Sequence, residues 1–177
     1  MGTACPYYVC VEFLGGKIVS IKHSVEIQAE VPLEDIDLTL LKVTALATLK
    51  HQGITEASEL TIVISDDETL RALNRRFRGV DRPTDVLSFS DDTRGPFAGG
   101  AAGFPCYLGD IVVSRPRAAA QAEAAGGTLT EELQLLIVHG TLHLLGYEHT
   151  EPAEKARMWE AQTAIMQLLG INIPLPE

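Results

Sequence analysis

The chain has little cysteine: Cys5, Cys10 and Cys106 are all there is in 177 residues. An odd, scattered set offers no disulfide framework and no paired cysteine knuckle for a metal. No apolar run approaches the length of a bilayer-spanning helix. The first residues, Met1 to Phe13, are mildly apolar but lack a basic segment and a small-residue cleavage site, so they make a poor signal peptide. Pro6 stands where a myristoylation signal after Gly2 needs Ser or Thr. A cytoplasmic location with no membrane attachment is therefore expected. Positive charge is also in deficit. Lys and Arg number 14 against 24 Asp and Glu, and the net charge of −10 is the wrong sign for a protein that coats nucleic acid unselectively. There are no internal repeats, and the length suits one domain with one core.

What is present is unevenly placed. Hydrophobic residues make up 46%, within the range of globular chains. Eight of the nine arginines fall between positions 71 and 117: Arg71, Arg75, Arg76, Arg78, Arg82, Arg94, Arg115 and Arg117. An Arg-rich surface on an acidic body can hold a phosphate chain, although scattered Arg on a solvated helix face would read the same way.

Three of the five histidines lie within eleven residues, at His139, His143 and His149. On a helix, His139 and His143 share one face with Cβ atoms roughly 5–6 Å apart. Gly146 predicts the helix stop, because glycine takes the left-handed position after a helix at no steric cost. The chain can then turn and bring His149 back as a third ligand. Three protein ligands with an open fourth position make a catalytic rather than a structural metal site. The spacing H-x-x-x-H-x-x-G-x-x-H matches a zinc-protease pattern with one change: Gly140 stands where the protease carries its Glu base. The metal scaffold is there and the peptide-cleaving base is not.

Taken in order, residues 1–24 show little pattern, with Gly15-Gly16 as a break, and are expected to be a poorly ordered N-terminal extension to a single domain over 25–177. Alternation predicts a strand over Val25–Val31, ended by Pro32. Apolar spacing predicts a helix from Leu33 to Gln52, with Ile36, Leu40, Leu41, Val43, Ala47 and Leu49 on its packed face. A strand follows at Glu59–Ser65. Ser65 with Glu68 reads as a capping box for a helix over Asp66–Phe77 that turns Leu70, Leu73 and Phe77 inward. Residues 78–85 read as a loop, Val86–Ser90 as a strand, 91–107 as a Gly- and Pro-rich binding loop or tolerated insertion, and Leu108–Ser114 as a strand. Ser114 and Pro116 open a helix that ends at Gly126-Gly127. Thr128 and Glu131 form a capping box for the histidine helix, which is hydrophobic nearly all round and so should be buried. Thr150 and Pro152 open a last helix closed by Gly170. The fold class expected is α+β: one small, mostly four-stranded mixed sheet packed with about five helices, the metal site at the end of a buried helix.

Three blocks carry a family resemblance. His139–His149 resembles the H-G-x-L-H-L-x-G-Y-D-H signature of the YbeY family of ribosomal RNA maturation factors and endoribonucleases. Leu73–Phe89, which contains Arg78-Gly79-Val80-Asp81-Arg82-Pro83-Thr84-Asp85, is similar to a second signature of that family, and Leu108-Gly109-Asp110-Ile111 to a third. The resemblance covers about residues 25–170. Glu148 departs from the usual Asp, which keeps the charge and lengthens the side chain.

The resemblance implies a metal-dependent endoribonuclease that prefers single strands and acts in 16S ribosomal RNA 3′-end maturation and ribosome quality control. Its partners would be RNA, the small ribosomal subunit and ribosomal proteins. It also implies that His139, His143 and His149 bind one zinc and that Arg78 is the functional arginine. Arg75 and Arg82, beside it, are expected to touch substrate. For the general base, Asp85, Asp110 and Glu148 stay open, each able instead to orient a ligand imidazole. Two other readings compete: a ribosome assembly factor with a structural zinc, and a metal hydrolase of a non-RNA substrate.

Overall fold

The computed structural model describes residues 8–14, 17–34, 36–91 and 105–171, with side chains from residue 23 onward. The elements are β1 (Tyr8–Leu14), β2 (Lys17–Ala29), α1 (Leu38–His51), β3 (Ser58–Ser65), α2 (Asp67–Arg78), β4 (Val86–Ser90), β5 (Cys106–Ser114), α3 (Arg115–Ala125), α4 (Leu129–Leu144) and α5 (Pro152–Leu168). The sheet order is β1-β2-β3-β5-β4. β2, β3 and β5 run parallel, and β4 pairs antiparallel with β5 as the edge strand. This is the expected mixed four-stranded sheet, with β1 added as a hairpin arm on β2. The described part of the expected N-terminal extension thus forms β1 and the start of β2. The signal was present: two runs rich in β-formers flank Gly15-Gly16, and a two-residue glycine connection is a hairpin signature. Residues 1–7, 15–16, most of the 91–107 loop and the last six residues lie outside the described residues.

One face of the sheet carries the main core. Leu60, Ile62 and Ile64 of β3 and Ile111 and Val113 of β5 meet Leu41, Ala45 and Leu49 of α1, Ala118 of α3, and Leu133, Leu136 and Ile137 of α4. On the other face, α2 lays Leu70 and Leu73 over Val63, Leu87, Phe89 and Val112. α5 covers the outer side of α4 through Met158, Ile165 and Met166. Among the described residues the sheet thus has α4 against one face and α2 against the other, with β4 as the edge strand between them.

Several local readings shift. α1 starts at Leu38, five residues later than expected, because Asp37 caps it by accepting from Thr39 N and Leu40 N. Its packed face is Leu41, Thr44, Ala45, Thr48 and Leu49, while Leu40 and Val43 are exposed. Thr44 and Thr48 can be buried because each hydroxyl donates to the backbone one turn back, to Leu40 O and Thr44 O. Asp66, not Ser65, caps α2; Ser65 is buried and donates to Glu30 instead. Phe77 is 56% exposed rather than inward, meeting Phe89 edge-on with ring centroids 4.9 Å apart. Glu151, not Thr150, caps α5 through a reciprocal pairing with Glu154. The Thr128–Glu131 capping box and the Ser114 cap form as the residues imply.

Candidate metal centre and its cleft

α4 is anchored at both ends by local chemistry. Thr128 and Glu131 satisfy its first amides. At its far end Gly146 takes φ 88°, and Gly146 N and Tyr147 N donate back to His143 O and Leu142 O. This left-handed stop lets the chain reverse direction within three residues. The reversal carries His149 back over the helix end.

The three histidines meet there. Their ligand nitrogens all lie within 4.8 Å of one another. His139 Nε2 and His143 Nε2 are 3.1 Å apart, and the His149 ring meets theirs tilted and edge-on, with centroids at 5.5 and 5.0 Å. Two nitrogens bound to one tetrahedral zinc, each at roughly 2.0–2.1 Å, would sit about 3.3 Å apart. The spacing fits one shared metal ion.

The electrostatics fit as well. Burial holds the His139 imidazolium off and lowers its pKa to about 4, with His143 beside it adding to the effect. His143 is lowered for the same first reason, burial, partly opposed by Glu148. Neutral imidazoles are what a metal needs. The tautomer of His139 is set by Gln162 on α5, whose Oε1 lies 3.0 Å from His139 Nδ1. A carbonyl oxygen only accepts, so Nδ1 carries the proton and Nε2 presents its lone pair to the site. Gln162 is fully buried, and its Nε2 has no partner among the described residues. Trp159, one helical turn earlier, backs His139 and His149 with ring centroids at 6.1 and 5.8 Å.

The histidines line a cleft of about 620 Å³ that straddles the free edge of β4. Val86, Ser88 and Ser90 of β4 line it, together with Arg78, Asp85, Glu148, Lys155 and Trp159. Arg78 comes from the C-terminus of α2, on the opposite face of the sheet from α4. It reaches the site round the edge strand, close enough for its charge to press on His143. Gly140 sits where α4 crosses the sheet. A Cβ there would meet Ile111 Cγ2 at 2.7 Å and Ser88 Oγ at 3.1 Å. Position 140 therefore faces the sheet, and any side chain there would first have to displace Ile111.

The open carboxylates sort themselves by geometry. Asp110 accepts from Tyr107 Oη at 2.7 Å and does not line the cleft. Asp85 lines it, but its oxygens are taken by Val86 N, Thr84 Oγ1 and Gln121 Nε2. Glu148 lines it with Oε2 3.8 Å from His143 Nδ1, and it is 62% exposed. Arg82 stands in an adjoining pocket next to Arg78. Arg75 lies with Arg71, Arg76 and Asp81 on a separate surface, outside the cleft. Gln162, Trp159 and Lys155 were not singled out as site residues from the sequence. Their only signal is helical spacing on α5, which places 155, 159 and 162 on one face.

Comparison with known proteins agrees with the three blocks. A family model described as endoribonuclease YbeY matches residues 22–170. A protein of that name from Chloroflexus aurantiacus is 44% identical over 150 residues, 84% of this chain and 97% of that one. Another from Paramagnetospirillum magneticum is 45% identical over 121 residues, 67% of this chain and 72% of that one. A solution structure of a Thermotoga maritima protein, 25% identical, superposes with a TM-score of 0.54 and covers 82% of this chain and 88% of that chain. With the family model spanning most of its length, this chain belongs to the YbeY family of endoribonucleases.

Proposed function

We propose that this protein is a zinc-dependent endoribonuclease of single-stranded RNA, acting in the cytoplasm on the 3′ end of 16S ribosomal RNA and in ribosome quality control, in company with the small ribosomal subunit and its proteins. The names of the relatives support RNA as substrate. The observation that carries the hydrolase reading is the convergence of three histidine nitrogens on a cleft that also receives Arg78.

His139, His143 and His149 would hold the zinc, which when bound would supply a Lewis acid and a water of pKa lowered towards about 7. Gln162 keeps the His139 lone pair directed at that ion. Arg78 offers a planar fork of N–H donors to a phosphodiester and offsets the negative charge that grows on its oxygens during attack. Glu148, with Oε2 3.8 Å from His143 Nδ1, orients that ring so that its Nε2 faces the ion. The free edge of β4 and Trp159 shape the walls beside the reacting group. Peptide hydrolysis is disfavoured because Gly140 faces the sheet and cannot be replaced by a working base.

The test is metal content with RNA cleavage before chelation, after chelation and after zinc return. About one zinc per chain and cleavage that vanishes and returns are expected. A tightly held zinc with no cleavage under any condition would reassign the protein as an assembly factor with a structural metal.

A further inference from the structure

We infer that the pocket on the far side of Arg78 from the histidines is a second phosphate subsite, which holds a phosphodiester of the same RNA strand next to the one at the histidine cleft. The inference rests on the nuclease reading and adds a direction to it: the strand runs from the histidines, past Arg78, towards α3.

The pocket measures about 390 Å³ and shares Arg78, Thr84 and Asp85 with the cleft, so the two are separated only by those side chains. Its remaining walls include Asn74, Arg82, Arg117 and Gln121. Three guanidinium groups thus stand around one opening in a protein whose net charge is −10. The single carboxylate in the wall, Asp85, is already bound by Gln121, Thr84 and the Val86 amide. Arg78 and Arg82 have no ion-pair partner among the described residues.

Elsewhere in the same Arg-rich stretch two guanidinium groups have partners of their own. Arg71 Nε is 2.7 Å from Asp81, and Arg76 lies over the Phe77 ring at 5.1 Å. The pocket is also held in shape. Buried Asn74 donates through Nδ2 to Arg82 O at 2.8 Å, which pins the loop that carries Arg82. Arg117 is oriented by Asp67, 3.2 Å from its Nε, leaving its terminal nitrogens without a partner among the described residues. Converging guanidinium forks of fixed direction suit phosphate oxygens. The ligand's chemistry could be met by a free phosphate ion, but the shared wall with the cleft favours the adjoining phosphodiester of a bound strand.

The test uses the full zinc-loaded chain and fluorescently labelled phosphorothioate oligouridylates, which keep the charge and resist cleavage. Affinities for a dinucleotide and a hexanucleotide are measured by anisotropy over a salt series, in wild type, Arg82→Gln and Arg117→Gln. Each variant is expected to lose on the order of tenfold in hexamer affinity and about 0.7 in the slope of log affinity against log salt. Dinucleotide affinity and zinc content stay as in wild type. Arg82 is exposed and makes no ion pair among the described residues, so its variant reads the pocket without disturbing the Asp67 contact that Arg117→Gln removes. Unchanged hexamer binding overturns the subsite, and so does an equal loss for both lengths. Loss of inorganic phosphate binding by calorimetry with hexamer binding intact overturns it in favour of a free ion. A wild-type protein that binds neither RNA overturns the nuclease reading together with the subsite.

Discussion

Helices α4 and α2 both deliver a side chain to the same cleft, and they do it in opposite ways. α4 buries eleven of its sixteen residues. α2 buries only Leu70 and Asn74 of its twelve. The histidines of α4 sit on a turn whose every neighbour is packed, with His139 tied to a buried glutamine. Arg78 is the last residue of α2, exposed, and bound to nothing among the described residues. The difference matches the tasks. A metal grip needs its ligands fixed to within a few tenths of an ångström before the ion arrives. A guanidinium that meets a flexible polyanion can find its partner after contact, because its charge acts at a distance and its fork tolerates adjustment.

That contrast can be broken at the α4 side first. His143→Ala should lose metal and cleavage together, with activity at background, since two imidazoles cannot hold a catalytic zinc site built from three. Metal analysis beside a cleavage assay checks it, and full zinc occupancy in the variant would remove His143 from the ligand set. Gln162→Leu should be the next largest. It leaves the three ligands in place but frees the His139 ring, and such partners are typically worth 10–100-fold in metal affinity. A competition titration with a zinc chelator reads it; an affinity equal to wild type would reduce Gln162 to a core residue. On the α2 side, Arg78→Glu should keep zinc and melting behaviour while RNA affinity falls on the order of tenfold or more, the scale of a lost charged hydrogen bond. If zinc is lost there as well, the two helices are not separable in the way their burial suggests.

Legibility followed the same division. The α4 region could be read because its signals are local: a capping box, an apolar helix, a four-residue histidine spacing and a stop glycine all lie within one stretch. β4 was placed to the residue for the same reason. What could not be read depends on elements meeting. Nothing around Gln162 marks it as a partner of His139; only α5 lying on α4 makes it so. Arg75 and Arg78 look equivalent three residues apart, yet Arg78 turns round the β4 edge and Arg75 faces Arg71 and Asp81 on the outer surface. Helical period turns Phe77 inward, but β4 is an edge strand and covers only part of that face of α2, leaving Phe77 outside against Phe89. In the sequence Gly140 stands for a missing base. The structure adds its cause, since the helix crosses Ile111 and Ser88 too closely for any side chain.

The smallest expected effect separates the two helices by pH. In the metal-free protein the folded pKa of His139 lies at about 4, below its ordinary value of 6.5, chiefly because the ring is buried. The unfolded chain therefore binds a proton that the folded chain refuses between those two values. Stability from this source is complete above pH 6.5, falls as pH drops towards 4, and is level below that. His143, lowered in the same direction, adds to the slope. Glu132 opposes it: burial, with Asp85 nearby, raises its pKa, so its share of stability is lost as pH rises. A denaturant series from pH 4 to 7 on the wild type alone would mix these terms. The difference between wild type and His139→Asn isolates the histidine, and the wild-type curve should be the steeper of the two. Arg78→Gln removes only a small part of what lowers His143, so its curve should stay closer to that of the wild type. Parallel curves for His139→Asn would show that the ring takes up its proton freely, and that α4 holds its histidines no more tightly than α2 holds its arginine.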